Sequence, residues 1–265
     1  LNGRQPLFNR TNSVAIDQAV KRQEQAQVLL QAAEQQLIVR LAQAYFDVLV
    51  AQDALTAAQA NKTAIGEQLA SAKRNFEVGT STITDTREAQ ARFDLATAQE
   101  IAADNDLRTK RVALDQLVGR SNVVPKPLAT PVALPPVAPA NVAEWVTPSQ
   151  SAPAVRRFEL ELDIARLDIA SARAGHLPTV DAVASFGPSR FSGRGNGIPG
   201  TTTSASVGVQ LALPLYAGGA VQNAVKATLS LEERARNDLE DARRTTAQNT
   251  RVAFFGVQSG QAQVK

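Results

Sequence analysis

Cysteine is absent from the 265 residues, which excludes disulfides and thiolate metal sites and is compatible with an oxidising compartment. Aromatic residues make up only 5%, few for a chain built around one compact core. No run of about 18 apolar residues occurs, so no segment qualifies as a transmembrane helix. One histidine is present, His176. A lone imidazole without cysteines or clustered carboxylates makes a poor metal site, and His176 is expected to pack at a helix-to-strand corner. Charge of one sign is lacking too: 28 basic against 25 acidic residues give a formal +3, with a pI near 9.4. The two signs are interspersed as on a solvated helix face, so nucleic acid is not an expected partner.

Proline is missing from Val14 to Val78, and Gly66 is the one interior glycine. Along this stretch Leu30, Ala33, Leu37, Leu41, Ala44, Val48, Ala51, Leu55, Ala58, Lys62, Ile65, Leu69, Ala72 and Phe76 recur at steps of three and four. The rhythm stutters once, around Leu37. A helix of roughly 65 residues would run about 95 Å, too long to bury its stripe within a small domain, so it needs equally long partners. The seam is rich in alanine, which brings helices close but gives each contact little apolar area. Lys62 is its one polar member.

Leu1 to Phe8 has the character of a strand end, and Asn9 to Ser13 carries turn and N-cap types. Gly79 suits the left-handed position that stops a helix. Thr82 then serves as N-cap, with Asp85 in the third helical position facing the helix dipole. A return helix runs from about Thr84 to Val118, its seam interrupted by Glu100 and Lys110. Ser121 to Pro139 holds six prolines and reads as an extended connector. Asn141 to Val146 is expected to form a turn or two of helix, packed down by Trp145. A moderate helix follows from Ala152 to Ala174, with Val155, Phe158, Leu162, Ala165, Ile169 and Ala172 on one face.

Two extended segments come next. In the later one Ala205, Val207, Val209, Leu211, Leu213 and Leu215 alternate with Ser204, Ser206, Gly208, Gln210, Ala212 and Pro214. That is period two with one apolar face and one small, polar face. It fits a strand between lipid and water, or a half-buried strand of a soluble sheet. Pro188 to Thr203 reads as a long hairpin loop. Gly193 to Gly197 inside it is glycine-rich, but no helix follows, so it lacks the context of a phosphate loop. Glu159, Glu161 and Asp163 are two apart and cannot share a helix face. No nucleophile–base pair is visible, and the sequence gives no reason to expect an enzyme or a cofactor.

The chain repeats itself. Pro6-Leu7-Phe8 matches Pro214-Leu215-Tyr216, and Ala44-Tyr45-Phe46-Asp47-Val48 matches Ala253-Phe254-Phe255-Gly256-Val257, at offsets of about 208 and 209. Strand, corner and long helix thus occur twice. Strands from several subunits would close a ring that one chain leaves open.

Three stretches resemble TolC-type outer-membrane efflux proteins, the outer membrane factor family. They are Leu213-Pro214-Leu215-Tyr216-Ala217-Gly218-Gly219, Gly175-His176-Leu177-Pro178-Thr179, and the helix turn from Phe76 to Asp85. The resemblance covers essentially the whole chain. It implies a mostly α fold with β: long antiparallel coiled-coil helices, plus β-hairpin strands contributing to a trimeric transmembrane barrel of about 12 strands. On that map residues 1–9 end the first hairpin and 10–120 form a helical hairpin of a periplasmic tunnel. Residues 121–175 form a connector and equatorial region, 176–217 the second barrel hairpin, and 218–265 the start of a second long helix.

The function so implied is an outer-membrane channel of a tripartite efflux or type I secretion system. It would be a passive homotrimeric duct in outer-membrane lipid, served by a periplasmic adaptor (membrane fusion protein) and an inner-membrane pump. The resemblance places adaptor contact at Val78, Gly79 and Thr80, although Thr80 stands where the family often has leucine. It places a periplasmic gate at Thr84 and Asp85, which a plain capping role explains equally well. The lipid-facing strand residues would be Ala205, Val207, Val209, Leu211, Leu213 and Leu215.

Two other classes compete. A periplasmic adaptor would carry one hairpin in a small β domain with no second strand-plus-helix copy. A soluble coiled-coil scaffold would have no alternating strand at Ala205 to Leu215. Leu1 is not methionine and falls inside a strand, so the chain reads as a fragment and the missing signal peptide says nothing of export. The repeat predicts a Val-Gly turn and an acidic helix start about 209 residues beyond Gly79, which the sequence following Lys265 would check.

Overall fold

A computed structural model describes residues 1–129, 134–191 and 200–264. The glycine-rich stretch Gly193 to Gly197, part of the connector and Lys265 lie outside the described residues. In order, the elements are β1 (Asn2–Phe8), α1 (Arg10–Glu77), α2 (Ile83–Val118), α3 (Val142–Ser149), α4 (Pro153–Ala174), β2 (Thr179–Phe191), β3 (Gly200–Ala212) and α5 (Ala220–Val264). Strand, corner and long helix occur twice, as β1–α1 and β3–α5. The chain divides into two units: one comprises Leu1–Ala32 with Pro135–Lys265, the other Ala33–Leu134.

The second unit is a helical hairpin. Val48, Ala51 and Leu55 of α1 bury against Leu107 and Leu114 of α2, flanked by Ala44, Ala103 and Val123. Burying each leucine or valine here contributes about 1.5–3 kcal/mol. The polar residues of both seams find partners across the hairpin. Lys62 Nζ donates to Glu100 Oε2 at 2.7 Å and lies 5.8 Å from the centre of the Phe93 ring. Lys110 sits 3.6 Å from Asp47. The seam's outlying members are not covered: Leu37 is 44% exposed, and Leu41 and Phe76 are also exposed.

The first unit holds the strands and the other helices. Asn9 caps α1, its Oδ1 accepting from the Asn12 amide at 3.2 Å, so α1 starts at Arg10 rather than Val14. Helices α4 and α5 join through Val155, Leu162 and Leu239, with Phe158 and Ala235 at the margin. Leu160, off the expected face, is also fully buried. Gln18 of α1 donates to Asp168 of α4 at 2.7 Å, and Gln25 donates to Glu161. Glu159 instead accepts from Arg156 and from Arg243 of α5, and Asp163 accepts from Arg166. The three acids point to separate partners, as their spacing requires. The Arg243 guanidinium pKa is raised further above its ordinary value, first by its hydrogen bond to Glu240 and next by that to Glu159.

Three sequence expectations need correction. Trp145 does not pack α3 down: its side chain is 41% exposed, and Nε1 donates to the Pro139 carbonyl at 2.8 Å. His176 is exposed rather than packed at its corner. The hairpin loop is shorter than Pro188 to Thr203, because both strands extend into it, Pro188 pairing with Thr203 and Arg190 with Thr201. The β-branched Thr201, Thr202 and Thr203 favour extended backbone.

Leu114→Ala removes a residue that is 2% exposed in the buried cluster joining α1 and α2. It is expected to cost about 2–5 kcal/mol, read as a lower denaturation midpoint of the full-length protein. An unchanged midpoint would show that this contact does not hold the hairpin.

Candidate membrane wall and hairpin tip

The described strands form one antiparallel sheet in the order β1–β2–β3. Residues opposite each other across an antiparallel pair point to the same side. Val180↔Leu211, Ala182↔Val209, Ala184↔Val207 and Phe186↔Ala205 therefore share one face. Asp181↔Gln210, Val183↔Gly208, Ser185↔Ser206 and Gly187↔Ser204 share the other. The first face is apolar and uncovered: Val207 is 88% exposed, and Val209, Leu211 and Phe186 are exposed with it. Ala205 is exposed as well. β3 ends at Ala212, so Leu213 and Leu215 do not continue the ladder. Pro214 lacks the N–H that pairing requires. Both leucines lie in the corner and remain exposed.

The opposite face carries the polar chemistry. Arg4 of β1 donates to Asp181 Oδ2 at 2.6 Å, with the carboxylate side chain 4% exposed and the guanidinium 66% exposed. The Ser185 and Ser206 hydroxyls lie 2.8 Å apart. Sequence reasoning missed the Arg4–Asp181 pair. Its only signal was the one cation of β1 and the one acid of β2, which only the pairing register brings together. Gly218 and Gly219 turn the corner into α5 with φ of 58° and 81°, conformations that favour glycine.

At the other end, α1 closes in a Schellman motif. Thr80 N donates to Asn75 O at 2.8 Å and Gly79 N to Phe76 O at 3.0 Å, with Gly79 at φ 79°. Val78, Gly79 and Thr80 are all exposed at this turn. Thr82 then caps α2 in a capping box: Asp85 N donates to Thr82 Oγ1 at 3.2 Å, and Thr82 N donates to Asp85 Oδ2 at 2.8 Å. The Thr82 hydroxyl meets the same carboxylate oxygen at 2.9 Å. The backbone hydrogen bond from Thr82, and next that from its hydroxyl, hold the Asp85 pKa below its usual value. Thr84 is exposed beside it.

Among the described residues no group of three His, Cys, Asp or Glu side chains could hold a metal ion. No described helix is long and apolar enough to cross a membrane.

A family model described as outer membrane efflux protein matches residues 1–120 and 149–265. The chain belongs to that family. It is 34% identical to the outer membrane protein TolC of Vibrio cholerae over 95% of its own length and 58% of that protein's. It is 32% identical to the alkaline protease secretion protein AprF of Pseudomonas aeruginosa, over 100% of its length and 56% of that protein's. The chain therefore spans about half the length of the curated relatives it matches. The solved structure of the outer membrane protein VceC from Vibrio cholerae overlays with a TM-score of 0.72 at 16% identity, covering 98% of this chain and 61% of that one. The fold is that of the TolC-like outer-membrane channels, and the family places the chain in the outer membrane of a Gram-negative bacterium. These relatives are channel and secretion proteins rather than enzymes.

Thr82→Ala removes the cap and is expected to cost the start of α2 about 1 kcal/mol, seen as faster amide exchange over its first turn. The lowered Asp85 pKa means that its contribution is present above the unfolded value, near pH 4, and is lost as pH falls through the native value. Exchange at Thr82 and Asp85, expressed relative to the intrinsic amide rate at each pH, should hold steady from neutral pH to about pH 5 and rise only in stronger acid. A rise centred near pH 6 would contradict this assignment.

Proposed function

We propose that the full-length protein is a passive homotrimeric duct through the outer membrane, working in tripartite efflux or type I secretion. The observation that carries this reading is the sheet. It presents an uncovered apolar face, a hydroxyl- and charge-bearing opposite face and, among the described residues, a strand at each edge that is paired on one side only. An open sheet edge is not tolerated in lipid, so further strands must close the wall. The seam of α1 supports the same conclusion, since Leu30 and Leu37 lie uncovered in the single chain. In the closed assembly Ala205, Val207, Val209 and Leu211 face lipid, while Ser206 and Gln210 face water.

The exposed turn at Val78, Gly79 and Thr80 is the contact for a periplasmic adaptor, which couples the duct to an inner-membrane pump. Thr84 and Asp85 belong to the gate at that end. The capping box engages Asp85 Oδ2 alone, leaving the other oxygen for a partner. Protein export is supported by the likeness to AprF, and small-molecule efflux by the family description. An adaptor or a soluble scaffold accounts for neither the repeated strand-plus-helix unit nor the uncovered sheet face.

The full-length protein is expected to extract from membranes only with detergent, to have the mass of a trimer, and to give steady conductance in a planar bilayer. Val207→Arg, on the apolar face, should reduce membrane assembly through a cost of up to about 2–4 kcal/mol per chain, while Ser206→Arg should assemble normally. A monomer that is freely soluble without detergent, or equal tolerance of both substitutions, would defeat the duct.

A further inference from the structure

At the corner between strands and helices, the start of α1 and the end of α4 enclose an open cleft of about 490 Å³. Arg10, Arg166 and Arg173 surround an apolar floor that includes Ile169, Ala174 and Leu177, and no acidic side chain lines it. Arg166 is partly neutralised by Asp163 at 3.4 Å and Glu232 at 3.7 Å. Among the described residues, Arg10 and Arg173 make no ion pair. Arg10 is the first residue of α1, whose first turn has no acidic residue, so its charge adds to the positive end of the helix dipole instead of offsetting it. Arg10 and Arg173 therefore stand over an apolar floor without a counter-anion among the described residues.

The placement identifies the anion. β1 ends two residues before Arg10, and β2 begins two residues after Leu177. The cleft thus sits at the end of the strand wall, where the apolar face gives way to helices and where lipid headgroups lie. Leu177 is exposed beside it, and the strand residues nearest the corner include the paired Phe8 and Val180.

We propose that this cleft binds the headgroup of an anionic glycerophospholipid from the monolayer that the helices abut. Arg10 and Arg173 hold the phosphate, and an acyl chain lies over Leu177. Guanidinium suits phosphate because its planar fork offers paired donors and sheds water at lower cost than ammonium. Basic pockets between membrane-embedded elements recognise lipid headgroups in this way. The inference rests on the barrel-wall reading of β1–β3 given above.

The test uses full-length protein in an uncharged detergent. It is titrated separately with phosphatidylglycerol and with phosphatidylcholine of the same acyl chains, and retained lipid is read by native mass spectrometry. Wild-type protein is expected to retain the anionic lipid about tenfold better. Arg10→Gln with Arg173→Gln should bring the ratio close to one, and Arg10→Lys with Arg173→Lys, which keeps the charge but loses the paired donors, should leave an intermediate preference. Equal retention of the two lipids by wild type, or an undiminished preference in the double Gln variant, would overturn the proposal. Displacement of phosphatidylglycerol by an equal concentration of inorganic phosphate would also overturn it, revealing a free-anion site. Wild-type conductance in a planar bilayer is measured alongside: loss of the channel refutes the duct, whereas loss of headgroup preference with the channel intact refutes only the lipid site.

Discussion

A pair of α-helices has a seam but no interior. Apolar residues outside the one line of contact remain in water until another surface covers them. In the hairpin of α1 and α2, Val48, Ala51, Leu55, Leu107 and Leu114 form that line, while Leu37, Leu41, Leu95, Ile101 and Val112 stay exposed. Alanine at Ala44, Ala51 and Ala103 lets the backbones approach but adds little buried area. The rest of the architecture follows from this shortage. Long helices gain their stability by lateral association.

The same shortage shapes the charges. A Lys in an apolar seam is tolerated only when it is paired, because an unpaired, partly buried ammonium loses its water without compensation. Lys62 meets Glu100, and the two interruptions of the α2 seam, Glu100 and Lys110, both reach across to α1. Such pairs add modest stability. They do specify which turn of one helix faces which turn of the other, and a seam dominated by interchangeable alanines specifies that poorly.

At the strand end the constraint is backbone hydrogen bonding. Lipid offers no partners for N–H and C=O groups, so in lipid β1 and β3, each bonded on one side only among the described residues, would demand further strands. Family membership agrees with that demand, and the repetition of strand, corner and helix shows how one protein supplies it twice. The corners must pass from a pleated wall to helices within a few residues. Proline at Pro178 and Pro214 stops the ladder, and left-handed glycines at Gly218 and Gly219 turn the chain.

Patterns that repeat along one element were readable from the sequence. These include the three-four rhythm of α1, the alternation from Ala205 to Leu211, the Gly79 stop, and the Thr82–Asp85 cap. Each depends on neighbours a few residues apart, and the backbone fixes where those point. Family resemblance was readable for the same reason, since its motifs are the local corners and caps. Contacts between elements were not. The Arg4–Asp181 pair, the burial of Leu160, the exposure of Trp145 and His176, and the meeting of Arg10 with Arg173 all depend on register and on which helix lies beside which strand. The sequence determined which faces are apolar and where each rod stops, because those are properties of single helices and strands. Only the tertiary structure decided which faces are covered and which charges remain without a partner, because covering a surface takes a second surface whose position no local spacing encodes.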